Sequence, residues 1–331
     1  MPRRVIVSSV ALAGALLTLA GCSSDDGAQP DTRAGDIRTN DVWKDGLELT
    51  GTVRIIAPAV VEIEPGAKIK CAPGAQILVG GTLRKAAGAR SKIACAEWGG
   101  IVVAQAGKLE LDGFDLENGG IETTEGAADS TVTDASIKGA LKPFLVGTKS
   151  KLTLTKVDVA VPSKVDDNVV SIAEVRGSLV ASRLDYDAGP NEGISLKDGG
   201  EAVIEDSNIH GTNGRDMVSA YRAKSLKLSY STLAGAHCGP HIEGIDAFTI
   251  DHITSEKNTY GLTIYGAGPG PNVVKDSNLS GDAAWLDLQG DHGPITFENV
   301  HFTGGKEVVV NTDPPKLPPS APAPIANAKP R

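Results

Sequence analysis

The sequence predicts an all-β chain folded as a single right-handed parallel β-helix, with about 10–12 turns of about 23 residues each. Three observations lead to this prediction. Short segments that alternate apolar and polar residues recur at a nearly constant interval through most of the 331 residues. Gly, Asp, Asn and Ser separate these segments. Aromatic residues make up only 4% of the chain, which suits a narrow core of Val, Ile, Leu and Ala.

The repeat is clearest at one inward position of nine successive segments. That position is occupied, at spacings of 21 to 27 residues, by Leu111, Val132, Leu154, Ala181, Ile204, Leu228, Ile250, Val274 and Phe297. A turn of about 23 residues holds three short strands and three corners. Stacked turns let each strand pair in parallel with its copies about 4.8 Å above and below. We therefore predict a β-helix over residues 37–313.

Residues 1–21 have the features of an export signal. Two arginines precede an uncharged apolar run at 5–20, which is too short and wrongly flanked for a permanent membrane span. The run ends in Leu-Ala-Gly-Cys at 19–22, which resembles the bacterial lipobox. The resemblance implies lipidation of Cys22 and a lipid-anchored place in the bacterial cell envelope, at the outer membrane or the cell surface. The alternative is an ordinary signal peptide with an unrelated cysteine.

The segments that flank the predicted β-helix lack its pattern. Residues 22–36 contain no large apolar side chain, so we expect a lipidated flexible tether. Residues 314–331 contain seven prolines and predict a disordered tail. The signal segment carries two arginines and no acidic residue, so its removal takes the net charge from −9 to about −11. Because no basic stripe is present, we expect no nucleic-acid partner.

The N-terminal turns carry a second resemblance. Residues 60–103 contain Ile63-x-Pro-Gly, then a Gly-Thr-Leu strand at 81–83, an apolar strand around Ile93, and Trp-Gly-Gly-Ile at 98–101. This order resembles the first turns of secreted bacterial β-helix proteins with the pectin-lyase-like fold. The resemblance, with the repeats behind it, implies the fold. It leaves the activity open, because this scaffold carries lyases, hydrolases, epimerases, adhesins and binding proteins.

Two cysteines are separated by one turn of the repeat. Cys71 and Cys95 lie 24 residues apart, which would place them on neighbouring turns with Cα atoms near 4.8 Å apart. A disulfide accepts that separation, and an exported protein meets an oxidising compartment. We therefore predict a disulfide between them. The alternative is two reduced cysteines stacked in the core.

Polar side chains concentrate on one set of strands in the C-terminal half of the chain. One outward column holds Ser195, Ser219, His241, Thr263 and Asp287, and its neighbour holds Lys197, Tyr221, Glu243, Tyr265 and Gln289. Tyrosine rings stack on sugars, while amides, carboxylates and cations bind hydroxyl or uronate groups. These residue types predict a groove for a polysaccharide or cell-surface glycan. The expected ligand-contacting residues are Lys197, Tyr221, His241, Glu243, Tyr265, Asp287 and Gln289.

Three functions fit such a face. The first is a glycan-binding or adhesion module without a cofactor, with the lipid anchor as its contact with the membrane. The second is a polysaccharide lyase or glycoside hydrolase. In that case Lys197 or Arg222 would act as base, and Glu243 and Asp287 would hold Ca²⁺ or act as paired carboxylates. The third is a non-catalytic structural protein of the envelope, whose exposed strands are polar only because they face water.

The stretch at 237–241 also contains three metal-ligand side chains. His237, Cys238 and His241 combine nitrogen and sulfur donors, which Zn²⁺ accepts. A metal site requires a fourth ligand or an open position with supporting hydrogen bonds, and the spacing alone supplies neither. The alternative is that Cys238 is a small buried residue at a corner.

Overall fold

The computed structural model describes residues 31–162, 173–212, 215–309, 317 and 319–331. The signal segment, the lipidation site at Cys22 and most of the predicted tether lie outside the described residues. No helix long and apolar enough to cross a membrane occurs in the part that the structure describes.

The described chain is built from short strands joined by tight corners. In chain order the strands are β1 (Thr32–Ile37), β2 (Asp41–Trp43), β3 (Glu48–Ile55), β4 (Val60–Ile63), β5 (Lys68–Cys71), β6 (Ala75–Val79), β7 (Thr82–Lys85), β8 (Ser91–Ala94), β9 (Trp98–Val103), β10 (Lys108–Glu117), β11 (Ile121–Thr123), β12 (Ser130–Lys138), β13 (Phe144–Val146), β14 (Lys151–Ala160) and β15 (Ala173–Val175). They continue with β16 (Ser178–Gly189), β17 (Ile194–Lys197), β18 (Glu201–Glu205), β19 (Asn208–Gly211), β20 (Val218–Tyr221), β21 (Ser225–Ser229), β22 (Thr232–Ala234), β23 (Pro240–Glu243), β24 (Ala247–Asp251), β25 (Thr254–Glu256), β26 (Thr263–Ile264), β27 (Asn272–Lys275), β28 (Asn278–Leu288), β29 (Ile295–Glu298) and β30 (His301–Val309).

All pairings between these strands are parallel, and they form a β-helix of about 11 turns spaced about 23 residues apart. Three faces result. Face A contains β18, β21, β24 and β27, face B contains β19, β22 and β25, and face C contains β17, β20, β23 and β26. Longer strands such as β10, β12, β14 and β16 bend at the corner and run through faces A and B. The predicted fold class is therefore confirmed.

The predicted inward file is confirmed at every position. Consecutive members are Cα partners on face A, from Leu111 and Val132 through to Val274 and Phe297. Each of the nine side chains is at most 7% exposed. Strand alternation accounts for this file, because residues two apart share a face and only one face meets the core.

The corner between faces A and B explains the residues that punctuate the repeat. One residue per turn adopts a positive φ of 47° to 64°, and these residues are Gly113, Asp134, Lys156, Arg183, Asp206, Tyr230, His252, Asp276 and Asn299. Gly, Asp and Asn tolerate this left-handed conformation better than other residues. The remaining four corners carry larger side chains in the same conformation.

The first strand begins earlier than the predicted boundary at residue 37. Strand β1 lies within the expected tether and pairs in parallel with β3. Arg33 also forms an ion pair with Asp41, with Nε 2.8 Å from Oδ2. Composition misplaced the boundary because backbone pairing and an ion pair hold this strand, and neither needs a large apolar side chain.

The C-terminal residues 319–331 contact the last turns, although their prolines predicted a disordered tail. The Asn278 amide bonds both the N–H and the C=O of Ile325, at 2.7 and 3.0 Å. Arg331 pairs with Asp206 at 2.9 Å, and its guanidinium carbon lies 3.9 Å from the centre of the Tyr230 ring. Proline removes only its own N–H, so the other backbone groups of a proline-rich segment remain able to bond.

The two cysteines one turn apart meet as their spacing predicts. Strands β5 and β8 are neighbours, and they bring Cys71 and Cys95 into a disulfide with Cα atoms 5.1 Å apart. Cys238 is the remaining cysteine of the described chain, and it is buried and unpaired with another cysteine.

One lysine is buried inside the β-helix. Lys85 pairs with Leu111 in register and is 2% exposed, and its Nζ has no hydrogen-bond partner among the residues that the structure describes. Burial lowers the pKa of this amine below its ordinary value. The unfolded chain therefore binds the Lys85 proton more tightly than the folded chain. The resulting destabilisation of the folded state is fully present below the folded-state pKa of Lys85. It fades as pH rises towards the ordinary pKa of lysine.

We expect Lys85→Met to raise the free energy of unfolding at pH 7 by about 1–3 kcal/mol, the cost of a buried unsatisfied polar group. The gain should be smaller above about pH 10.4, where the amine is neutral in both states. Urea denaturation at the two pH values measures both effects, with the exposed Lys70→Met as control. Equal or lower stability of Lys85→Met would show that the amine is paired in solution.

Candidate functional site

The polar residues predicted from the sequence lie in register on face C. Cα pairing links the first column from Ser195 to Asp287 and the second from Lys197 through Tyr221 to Glu243. However, most of the first column is not open to water. Ser195, Ser219, Thr263 and Asp287 are each at most 2% exposed. The face is therefore a layered site, in which side chains of the second column and of the corner before each strand contact the first column.

His241 lies at the centre of this site. Its side chain is 13% exposed, and its Nδ1 lies 2.7 Å from Oδ2 of Asp216. A carboxylate only accepts hydrogen bonds, so Nδ1 carries the proton and donates it. The lone pair then belongs to Nε2, which is buried and has no hydrogen-bond partner among the described residues. The imidazole is thus oriented by a carboxylate and presents a basic nitrogen.

Two tyrosines contact His241 from the neighbouring turns. The ring centre of His241 lies 5.6 Å from that of Tyr221 and 5.1 Å from that of Tyr265, in edge-to-face geometry. The Tyr265 hydroxyl donates to Asp287 at 2.8 Å. Burial, followed by nearby carboxylates, raises the pKa of both phenols above the ordinary value. Both tyrosines therefore remain protonated donors at neutral pH.

Carboxylates surround the imidazole. The Glu243 Oε2 lies 3.9 Å from the His241 Nε2, and this side chain is 52% exposed. Glu192 accepts a hydrogen bond from Ser219 at 2.6 Å. Burial acts to raise the pKa of Asp216, but the hydrogen bond and charge of His241, together with Cys238 and His237, outweigh burial and hold that pKa below its ordinary value. The site therefore carries negative charge.

Asp216 is a candidate site residue that sequence reasoning missed. It lies in the corner before β20 rather than on a strand, so the alternation that identified the two columns does not include it. The available signal was its position. Asp216 and His237 both immediately precede strands of face C, on successive turns.

The predicted basic candidates lie apart from this centre. Lys197 pairs with Glu174 at 3.3 Å, and Arg222 pairs with Asp198 at 2.6 Å. The Arg222 side chain is 82% exposed. Both cations therefore interact with carboxylates at the edge of face C, whereas the imidazole is held by Asp216.

Glu243 and Asp287, the two carboxylates predicted to hold Ca²⁺ together, differ in their exposure to solvent. Glu243 is exposed, whereas Asp287 is buried and accepts hydrogen bonds from Tyr265 and Gln289 at 2.8 and 2.9 Å. Asp287 therefore supports the two residues that cover it. Ligand contact stays a prediction for all seven residues, which are Lys197, Tyr221, His241, Glu243, Tyr265, Asp287 and Gln289.

The metal-ligand side chains that lie together differ from the group predicted from the sequence. His237 and Cys238 lie together, with Nδ1 and Sγ 3.4 Å apart, but Asp216 takes the place expected for His241. The reason is that Nδ1 of His241 is engaged by the other oxygen of Asp216.

A cavity of about 530 Å³ lies on the N-terminal turns of face C. Trp98, Leu141 and Lys142 contribute to its lining. The indole N–H of Trp98 donates to the Glu117 carbonyl at 2.9 Å, which fixes the ring. Sequence patterns did not reveal this cavity, because its lining combines corners and strand residues of three successive turns.

Comparison with known proteins adds little beyond the architecture. A crystal structure of the periplasmic alginate epimerase AlgG, in a double-mutant form, resembles the chain with a TM-score of 0.41 and 11% sequence identity. The alignment covers 85% of this chain and 79% of that one. A likeness at this level bears on neither activity nor substrate. No family model and no curated protein matches the chain.

Proposed function

We propose that this protein is a glycan-modifying enzyme in which His241 transfers the proton. The observation that carries the proposal is the imidazole itself. Asp216 holds Nδ1 at 2.7 Å, while Nε2 of this tyrosine-flanked ring is buried and has no hydrogen-bond partner in the part of the chain that the structure describes. An unsatisfied buried nitrogen costs stability, and such costs concentrate at functional sites. A carboxylate-oriented histidine is a common general base.

The surrounding charge favours one reaction class. Asp216 and Glu243 lie 2.7 and 3.9 Å from nitrogens of the imidazole, and Asp287 accepts a hydrogen bond from Tyr265. The predicted cations Lys197 and Arg222 pair with other carboxylates. A free uronate would be repelled there unless a cation accompanied it. A neutral sugar unit fits better, and its C–H bonds are not acidic. We therefore expect hydrolysis of a glycosidic bond, in which His241 Nε2 takes a proton from a water that attacks the anomeric carbon, while Asp216 stabilises the resulting imidazolium. The bond from that carbon to the leaving sugar oxygen breaks, and the oxygen takes its proton from solvent water.

The shape of face C favours a polymeric substrate. Its strands repeat about every 4.8 Å, so side chains of the second column form a straight row along the β-helix. Tyr265 is 37% exposed at this row, and Gln289 and Glu243 lie on the same column. Aromatic and amide groups in a row suit successive sugar units of one chain.

A non-catalytic glycan-binding or adhesion role is the second candidate. It is favoured by the exposed ring of Tyr265, whose hydroxyl is fixed by Asp287 and which therefore offers a rigid surface for a sugar. If the protein only binds glycan, Tyr265→Ala weakens glycan binding, whereas substitution of His241 changes only local packing.

A panel of soluble glycans incubated with the mature protein tests the proposal. Three quantities are measured: retention of glycan, new reducing ends, and new unsaturated ends. New reducing ends without unsaturated ends support hydrolysis at His241. Unsaturated ends would mean elimination from a uronate instead, whereas retention without either product would establish the binding role. No retention and no product across the panel would overturn both candidates.

We further propose that Cys22 carries a lipid that holds the protein at the cell envelope, which rests on the signal segment alone. Cys22→Ala should move the protein from the membrane fraction to the soluble fraction. The domain should remain folded, as judged by an unchanged circular dichroism spectrum. If the variant still fractionates wholly with membranes, the anchor lies elsewhere in the chain.

A further inference from the structure

Three metal-ligand side chains of different chemistry meet beside the imidazole. The Sγ of Cys238 lies 3.4 Å from Nδ1 of His237, and that nitrogen lies 3.9 Å from Oδ1 of Asp216. All three donor atoms lie within 4.8 Å of one another. They come from two successive turns, at the corner between faces B and C.

These separations fit a tetrahedral ion. Zn²⁺ binds sulfur at about 2.3 Å and nitrogen or oxygen at about 2.0–2.2 Å, so its ligands lie roughly 3.3–3.6 Å apart. The observed 3.4 Å between sulfur and nitrogen lies within that range, and the 3.9 Å contact needs only a small closure. A thiol and an imidazole select a borderline-soft ion such as Zn²⁺ over Ca²⁺, which prefers oxygen.

Hydrogen bonds from neighbouring residues hold the three candidate ligands, as is usual for metal ligands. The second oxygen of Asp216 accepts the hydrogen bond from His241, and the Thr263 Oγ1 lies 3.2 Å from the sulfur. Backbone bonds fix the corner, since the His237 N–H donates to Arg215 and the Cys238 carbonyl accepts from Met217. Such outer bonds orient ligands and tune a metal.

The group is also accessible. Cys238 is buried, but His237 is 48% exposed, so an ion can reach the corner from solvent. Three protein ligands with one side open match the arrangement in which Zn²⁺ keeps a water or substrate in its fourth position.

We propose that Asp216, His237 and Cys238 form a Zn²⁺ site with one open coordination position. Binding releases the thiol proton, so affinity rises with pH. The proposed ligands do not include Nε2 of His241, so Zn²⁺ binding can be measured apart from the glycan reaction. The site would nevertheless share Asp216 with the imidazole.

The test uses untagged mature protein that has been stripped with a chelator and given Zn²⁺ alone. Equilibrium dialysis with metal analysis should find one Zn²⁺ per chain, with at least tenfold weaker binding in Cys238→Ala, His237→Ala and Asp216→Asn. The matched control is His252→Ala. His252 also lies in a cluster with two acidic residues, Asp251 and Asp276, but on another corner. The His252→Ala variant should still bind one Zn²⁺ per chain.

Substitution with Co²⁺ gives an independent readout. The wild-type protein should show a thiolate-to-cobalt charge-transfer band, and Cys238→Ser should lose it. Circular dichroism checks that each variant is folded, and the exposed His237 provides the variant least disruptive to packing. Undiminished Zn²⁺ binding in both Cys238→Ala and His237→Ala would overturn the proposal, as would loss of the ion in His252→Ala or no binding by the wild type. Because no glycan is present, these outcomes leave the proposed enzymatic function untouched.

Discussion

His241→Gln should lower kcat/KM for the glycan substrate by at least about 100-fold, because general acid–base catalysis contributes roughly 10²–10⁴-fold. Glutamine is polar and retains a donor for Asp216, but its amide has no basic nitrogen to replace Nε2. The free energy of unfolding should change little by comparison. Initial rates on the substrate identified from the panel, measured beside urea denaturation, separate the two effects.

His252→Gln is the matched control for this prediction. His252 also contacts an aspartate, with Nδ1 2.5 Å from Asp251, and it stacks on Tyr230 with ring centres 4.7 Å apart. It lies at the corner between faces A and B rather than on face C. Turnover within twofold of wild type is expected. An equal loss in both variants would mean that the effect is structural, and full activity of His241→Gln would remove the histidine from the mechanism.

Removing the disulfide should produce the largest change in stability. The bond between Cys71 and Cys95 closes a loop of 24 residues, and the loop-entropy relation gives about 3 kcal/mol for a loop of that size. The Cys71→Ala, Cys95→Ala double variant should lose roughly this amount in urea denaturation. The loss arises mainly because the unfolded chain becomes less constrained.

Thiol counting on the same proteins checks the premise. Unfolded, unreduced mature protein should titrate one free thiol, that of Cys238, if Cys22 carries lipid. Three free thiols, together with unchanged stability of the double variant, would show that the two cysteines are reduced neighbours in the core.

The fold could be predicted in detail from the sequence because each turn repeats the pattern of the turns above and below it. Each inward residue such as Leu154 or Ile204 is related to its neighbours above and below by one period, so an error at one turn would shift the rest. The ends escaped this constraint. Strand β1 and the tail residue Ile325 are held by backbone contacts that leave no periodic signature.

The candidate site was predicted only in part, for a physical reason. Alternation correctly placed His241 and Tyr265 on the outer side of face C. It says nothing about corner residues, so it missed Asp216, which fixes the tautomer of the imidazole. It also treated Asp287 as open to solvent, because burial beneath a long side chain from the next column is a property of packing rather than of periodicity.

The central claim is that Asp216 directs the proton of His241 to Nδ1 and leaves a basic lone pair on Nε2. Long-range ¹H–¹⁵N correlation spectra of ¹⁵N-labelled mature protein report the tautomer directly, and the His241→Gln variant identifies the signals. We expect a protonated Nδ1 and an unprotonated Nε2, and we expect Asp216→Asn to disturb this preference. A proton on Nε2 in the wild-type protein would contradict the proposed function, because that nitrogen could then accept no proton from the attacking water.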